Sequence, residues 1–211
     1  MKIKICGIRR TEDVHFLNET LPDFTGFVFA DTRRKVSREK AADLYRMLDR
    51  RIKVFGVFVN APPEFITGLA NDGVIDVIQL HGDETEEDII FLKRETGLPV
   101  IKAVRAKDRD CILQADRLSC DYLLLDTYRA GRYGGTGETF SWDLIPEKLV
   151  HPYFLAGGLH EGNLVSALDH AAGRGMCLGV DVSGGVETDG HKDKEKIKRV
   201  VELVRSYPSM S

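Results

Sequence analysis

Short apolar runs rich in Val, Ile, Leu and Phe recur along the whole chain, each followed by a turn and a stretch of helical spacing. They begin near Lys2, Phe24, Ile52, Ile75, Leu98, Asp121, Tyr153 and Met176, at intervals of 22 to 32 residues. That is the rhythm of repeated strand-helix units. In the first run, Ile3 and Ile5 fall on one face and Lys2, Lys4 and Cys6 on the other. Gly7 then allows a sharp turn, and Thr11, Glu12 and Asp13 open a helix.

The helical stretches carry their own signals. Ser37 before Arg38, Glu39 and Lys40 predicts an N-cap, with Ala41, Leu44, Met47 and Leu48 on the buried stripe. Pro62 and Pro63 open the third helix, whose apolar face is Phe65, Ile66 and Leu69. The acidic run from Asp83 to Asp88 opens the fourth and complements the helix dipole, so it calls for no functional explanation. The last helix, from about Lys192 to Tyr207, sets Ile197, Val200, Val201 and Val204 against charged residues, and its basic side chains read as a solvated face.

Eight alternating units predict a closed parallel sheet, because closure removes both edges and buries each strand on both sides. The expected architecture is a (β/α)8 (TIM) barrel formed by residues 1–211 as a single domain. At 211 residues its loops should be short. The exception runs from Thr127 to Gly137, with four glycines, two arginines and two tyrosines, the composition of a mobile active-site lid or of a plain surface excursion.

Composition narrows the partner. With 30 Lys and Arg against 33 Asp and Glu, the net charge of −3 offers no global attraction to nucleic acid or to an anionic membrane surface. A small molecule is the default ligand. No run approaches the ~20 apolar residues of a membrane helix and no signal-peptide pattern opens the chain, so the expected location is the cytoplasm. Cys6, Cys111, Cys120 and Cys177 form no Cys-x-x-Cys pair, which predicts reduced thiols and neither a zinc site nor a disulfide framework. No Gly-x-x-x-x-Gly-Lys-Ser/Thr loop is present.

In this fold the carboxyl ends of the strands build the site. Those ends carry Cys6, the segment from Asp31 to Arg34, Asn60, Gln79 with His81, Lys102 slightly deeper, Asp126, Gly157 with Gly158, and Asp181 to Gly185. The polar interruptions of the apolar strands therefore converge on one barrel mouth. Gly157, Gly158, Ser183, Gly184 and Gly185 follow strands seven and eight, where backbone N–H groups and a helix N-terminus hold a phosphate in this fold. For proton transfer the candidate pair is Cys6 and Asp126. A thiol near ~8.5 serves as a base if a cation such as Lys4 lowers its pKa, and an aspartate serves as an acid if its surroundings keep it protonated. Each residue also has a plain alternative: Cys6 as strand-end packing, Asp126 as a loop cap, His81 as a structural imidazole, Arg34 as a surface charge beside Arg33 and Lys35.

Several motifs in one order coincide. They are Lys4-Ile5-Cys6-Gly7, Gln79-Leu80-His81-Gly82, Leu125-Asp126 followed by Gly134-Gly135-Thr136-Gly137, Phe140-Ser141-Trp142, Leu155-Ala156-Gly157-Gly158-Leu159 with Asn163, and Gly179-Val180-Asp181-Val182-Ser183 with Gly185-Val186-Glu187 and Lys192-Asp193. As a set they resemble the phosphoribosylanthranilate isomerases of tryptophan biosynthesis. The resemblance implies an Amadori rearrangement of N-(5-phosphoribosyl)anthranilate to 1-(2-carboxyphenylamino)-1-deoxyribulose 5-phosphate, without metal or organic cofactor. It implies Asp126 as general acid at the furanose ring oxygen and Cys6 as general base at sugar C2. It further implies Arg34 on the anthranilate carboxylate, His81 and Asp181 lining the pocket, and the glycine turns on the phosphate. Ser141 and Glu161 depart from residues common in the family, Asp and Pro. The segment from Asp31 to Lys35 matches less closely, which leaves Arg33 and Arg34 as rivals for the carboxylate. The resemblance leaves monomer and homodimer open. A related sugar-phosphate isomerase would usually present a carboxylate in place of Cys6, and a barrel that only binds phosphate would not need Cys6 and Asp126 together.

Overall fold

The computed structural model describes residues 1–127, 141–173 and 176–208. Eight parallel strands close on themselves in sequence order: β1 (Lys2–Cys6), β2 (Phe24–Val28), β3 (Lys53–Phe58), β4 (Val77–Leu80), β5 (Val100–Ala106), β6 (Tyr122–Thr127), β7 (Tyr153–Leu155) and β8 (Cys177–Val182). The surrounding helices are α1 (Thr11–Thr20), α2 (Arg38–Met47), α3 (Pro63–Asn71), α4 (Glu86–Thr96), α5 (Arg109–Ala115), α6 (Glu161–Ala172) and α7 (Lys194–Ser206). This is the (β/α)8 barrel expected from the strand rhythm. Among the described residues, no helix is long and apolar enough to cross a membrane.

Strand alternation divides the core into two layers. Ile3, Ile5, Phe27, Val54, Phe58, Ile78 and Leu80 face outward into the helices, while Phe55, Val77, Ile101, Leu124 and Phe154 fill the barrel. Phe24, Phe55 and Phe154 meet edge-on or tilted at centroid distances of 5.2 to 6.0 Å, the geometry aromatic quadrupoles favour. The helix starts follow the predicted chemistry: Ser37 accepts from Lys40 N–H, Thr85 and Asp88 form a capping box, and Pro63 begins α3.

The amino ends of the strands are tied by a repeated device. Asp23, Asp76 and Asp121, each immediately before an even-numbered strand, accept the backbone N–H of Ile3, Val54 and Val100 near the start of the preceding odd-numbered strand. The second oxygen of each takes a lysine, Lys2, Lys53 or Lys93. Pairing on both oxygens at this end is a stability feature, since the chemistry of the fold belongs to the opposite face.

Two readings of the sequence need correction. Between β6 and β7 the described residues hold a 3₁₀ turn, Trp142–Leu144, and no α-helix. Pro146 and Pro152 interrupt the segment that leads from this turn into β7, and a proline inside a helix removes a hydrogen bond and clashes with the preceding turn. Lys192 does not belong to a solvated helix face. A short ribbon pairs β9 (Glu187–Thr188) with β10 (His191–Lys192), and Lys192 within it is 5% exposed. The helix begins only after Asp193, which caps it by accepting from Lys196 N–H. Residues 128–137 of the glycine-rich stretch lie outside the described residues.

Candidate active site

A cavity of about 900 Å³ opens at the carboxyl ends of the strands. Cys6, Arg34, His81, Asp126, Gly157, Gly158, Asp181, Ser183, Gly184 and Gly185 all line it. Lys102 does not. Its ammonium turns away to the Gly82 carbonyl and the Glu84 carboxylate, both at 2.7 Å, so the deeper cation of β5 braces the β4-α4 loop.

The two proton-transfer candidates stand on β1 and β6, with β7 and β8 between them in the barrel. Cys6 ends β1 and is 7% exposed, and Asp126 sits one residue before the end of β6. Asp126 Oδ1 accepts the Thr127 N–H at 2.7 Å, which fixes the carboxylate and leaves Oδ2 toward His81. His81 Nε2 lies 3.1 Å from that oxygen without the alignment of a hydrogen bond. The Gln79 side-chain amide meets His81 Nδ1 at 3.1 Å, so the imidazole is held from behind by the strand below it. Burial pushes the Cys6 thiol up from its ordinary pKa, Lys4 and Lys192 pull it down, and Asp181 pushes it up again, with a net rise.

The loops after β7 and β8, between these two residues, are shaped by glycine. Gly157 and Gly158 have φ of 84° and 63°, a region side chains disfavour, and a Cβ on Gly157 would strike Thr127 and approach Asp126 Oδ1 at 2.8 Å. Gly185 has no room either, because a Cβ there would run into the Leu159 carbonyl and His160. The loops after β7 and β8 therefore pack backbone to backbone. Asn163 clamps the first of them, donating to the Gly158 carbonyl at 3.0 Å and accepting His160 N–H at 2.8 Å. The N-terminus of α6, with Glu161 and Gly162, meets the cavity at this point and turns the positive end of its dipole toward it, while the Gly162 N–H is taken by His160 Nδ1 at 3.1 Å. The Ser183 hydroxyl donates to the Cys6 carbonyl at 3.0 Å, so its side chain ties the end of β8 to the end of β1.

The rim beside Cys6 is strongly charged. Arg34 lies across Gly7, where a Cβ would collide with its side-chain carbons, and is 13% exposed, whereas Arg33 is 58% exposed. Glu187 holds both. It accepts from Arg34 Nε and Nη2 at 2.7 and 3.0 Å, from Arg33 Nη2 at 2.6 Å and from Lys192 Nζ at 3.1 Å. Burial disfavours the Glu187 anion, but Arg34 and Lys192 override it and bring its pKa down to about 2. Burial likewise opposes the Arg34 charge, and Glu187 more than compensates. Three cations around one carboxylate leave this cluster with a net positive charge. No residue-level signal singles out Glu187 or Lys192, whose presence in the motifs is the only pointer, whereas Gln79 is read beside His81 at a strand end.

The same fold recurs in known proteins. A family model described as N-(5′-phosphoribosyl)anthranilate (PRA) isomerase matches residues 3–203. The N-(5′-phosphoribosyl)anthranilate isomerase of Endomicrobium trichonymphae is 44% identical over 205 residues, covering 97% of this chain and 98% of that protein. The phosphoribosylanthranilate isomerase of Thermotoga maritima superposes with a TM-score of 0.83 at 32% identity, covering 97% of this chain and 98% of that one. A phosphoribosylanthranilate isomerase solved in complex with reduced 1-(o-carboxyphenylamino)-1-deoxyribulose 5-phosphate superposes with a TM-score of 0.80 at 31% identity and the same coverage.

Proposed function

Because the chain belongs to the N-(5′-phosphoribosyl)anthranilate isomerase family, we propose that Cys6 and Asp126 are the base and acid of its reaction. The protein is an isomerase of tryptophan biosynthesis, and its reaction is the Amadori rearrangement of N-(5′-phosphoribosyl)anthranilate to 1-(2-carboxyphenylamino)-1-deoxyribulose 5-phosphate. Asp126 protonates the furanose ring oxygen as the C1–O bond breaks, and the anthranilate nitrogen lone pair closes an iminium. Cys6 then takes the proton from C2. The C2–H electrons form the C1–C2 double bond, the iminium pair returns to nitrogen, and the resulting enolamine tautomerises to the ketone. An acid and a base acting on different atoms of one sugar must come from different strands.

The observation that carries this reading is that the ends of β1 and β6 open into the same cavity as two tightly packed glycine turns and a cationic rim. The rim offers Arg34 to the anthranilate carboxylate. Its low exposure and its place across Gly7 favour it over Arg33. The glycines at 157, 158, 184 and 185, with Ser183, take the phosphate, and Asp181 and His81 face the sugar between the two anionic groups. A phosphorylated substrate does not cross membranes unaided, which supports a cytoplasmic location.

The assay is loss of substrate anthranilate fluorescence by purified protein. Cys6→Ala and Asp126→Asn should each lower kcat by ~10² to 10⁴, the usual contribution of one general acid or base, while a reduced product analogue still binds. Near-wild-type kcat in either variant would refute that residue's role.

A further inference from the structure

Beneath Cys6 lies a charge that the reaction as described does not use. Lys4 is fully buried on the same face of β1, two residues before the thiol, and does not line the cavity. Its ammonium donates to Asp181 Oδ2 at 2.9 Å, and the two residues are direct register partners on β1 and β8. It also lies 5.3 Å from the centroid of the Phe55 ring, in an interior otherwise filled by aromatic and aliphatic side chains. A buried ion pair is seldom retained for stability, since apolar side chains of similar volume do as well or better.

Gly26 on β2 explains where that charge is directed. It is the register partner of Cys6, and a Cβ at this position would lie 2.8 Å from Cys6 Sγ and 3.4 Å from Lys4 Cε and Nζ. Thiol and ammonium thus converge on a space that only glycine leaves open. The other charged groups acting on the thiol are accounted for elsewhere. Arg34 and Lys192 are engaged by Glu187, and Asp181, which opposes ionisation, is itself bound by Lys4 through one oxygen. We propose that Lys4 is a positioning residue for this reaction, holding the cation against which the Cys6 thiol gives up its proton and becomes the base.

The proposal rests on the assignment of Cys6 as base. The proton balance is simple. The thiol releases its proton to solvent before turnover, the thiolate gains the C2 proton as the C2–H pair moves into C1–C2, and Lys4 stays an ammonium throughout. Without Lys4 the thiolate would face burial and Asp181 with its remaining cations already committed, so the thiol should ionise at higher pH. Burial already holds the Cys6 thiol above its ordinary value, with Lys4 the largest opposing influence.

The test combines three variants. Lys4→Met should move the acidic limb of the kcat/KM profile upward by a pH unit or more, lower kcat at neutral pH about 10-fold or more, and leave KM less affected. It should shift the pH dependence of iodoacetamide labelling of the Cys6 peptide, read by mass spectrometry, in the same direction. Lys4→Arg, which keeps the charge, should recover part of the shift. Should Lys4→Met not fold because Asp181 loses its partner, Gly26→Ala gives the same reading with the ion pair intact, since its Cβ drives the thiol away from the ammonium. Kinetic and labelling profiles that coincide with wild type in the folded variants would overturn the proposal. Cys6→Ala separates the two claims: if it keeps wild-type kcat the base assignment fails, and if it is inactive while the profiles stay put, only the role of Lys4 fails.

Discussion

Glu187→Gln tests how the cationic rim works, because two effects of opposite sign arise from one substitution. The carboxylate accepts four charge-assisted hydrogen bonds, two from Arg34 and one each from Arg33 and Lys192. Removing its charge leaves three cations together, which would draw an incoming carboxylate more strongly. At the same time Arg34 loses the partner that fixes its planar fork, and an arginine side chain carries about 2 kcal/mol of rotamer entropy. One added net charge at a solvent-facing rim is worth about 1 kcal/mol or less. Loss of orientation should therefore win, raising KM about tenfold with kcat within a few-fold, the pattern of an interaction made equally in ground and transition states. A fall in KM would refute the reasoning, for it would mean that Glu187 competes with the substrate carboxylate for Arg34.

The same carboxylate makes a second, independent reading possible through stability. Its pKa drops from an ordinary 4.5 to about 2 in the folded protein. That difference corresponds to about 3 kcal/mol, and solvent screening of the partly exposed Glu187 reduces it to about 2 kcal/mol. A depressed folded pKa means the stabilisation is present above pH 4.5 and is lost as the pH falls from there through 2. Urea unfolding of wild type and Glu187→Gln at a series of pH values should show the gap between them closing over that window. A gap independent of pH would show that the ion cluster contributes nothing through its charge.

Arg34→Ala should raise KM far more than Arg33→Ala, read in the fluorescence assay, because both line the cavity but Arg34 is held against Gly7 at 13% exposure while Arg33 is 58% exposed; equal effects would reopen the assignment. Gly157→Ala should lower kcat and Tm together, since its Cβ meets Thr127 and Asp126 and its φ is 84°; a fully active, fully stable variant would show that the β6 and β7 ends need not pack so closely. Asp76→Ala leaves Val54 N–H and Lys53 without their acceptor and should cost about 1 to 3 kcal/mol, lowering Tm by several degrees, with kcat unchanged because it lies at the far end of the barrel. A loss of kcat in that folded variant would contradict the division of labour between the two ends.

The strand rhythm was legible because strands buried on both faces read as short apolar runs, and the active end because Cys6, His81, Asp126 and Asp181 interrupt those runs at one side. What local pattern could not show was pairing between distant parts of the chain. Lys192 reads as the first basic residue of an amphipathic helix, yet the reversal at Asp189 and Gly190, both at positive φ, folds it back onto Glu187. The choice between Arg33 and Arg34 depends on a missing Cβ at Gly7, far away in sequence. A helix between β6 and β7 was expected from regularity alone, while Pro146 and Pro152 argued locally against it.

The two ends of the barrel treat the same side-chain chemistry in opposite ways, and this locates the work of the protein independently of any motif. Asp23, Asp76 and Asp121 have both oxygens engaged at the amino ends of the strands. At the mouth, Asp181 Oδ1 and Gln79 Oε1 are buried and make no hydrogen bond to a protein group among the described residues. A buried polar atom without a partner costs about 1 to 3 kcal/mol, so two of them around one cavity are an expense that folding alone would not maintain. The hydroxyls of a ribose phosphate supply donors and acceptors of the kind these atoms lack. Satisfying them on binding offsets the ordering of a flexible sugar chain once the ring opens, between the two anionic ends that the proposal assigns to Arg34 and the glycine turns. On the proposed assignment the open-chain intermediate is thereby kept extended with C2 presented to Cys6, at the step where a loosely held sugar would reclose.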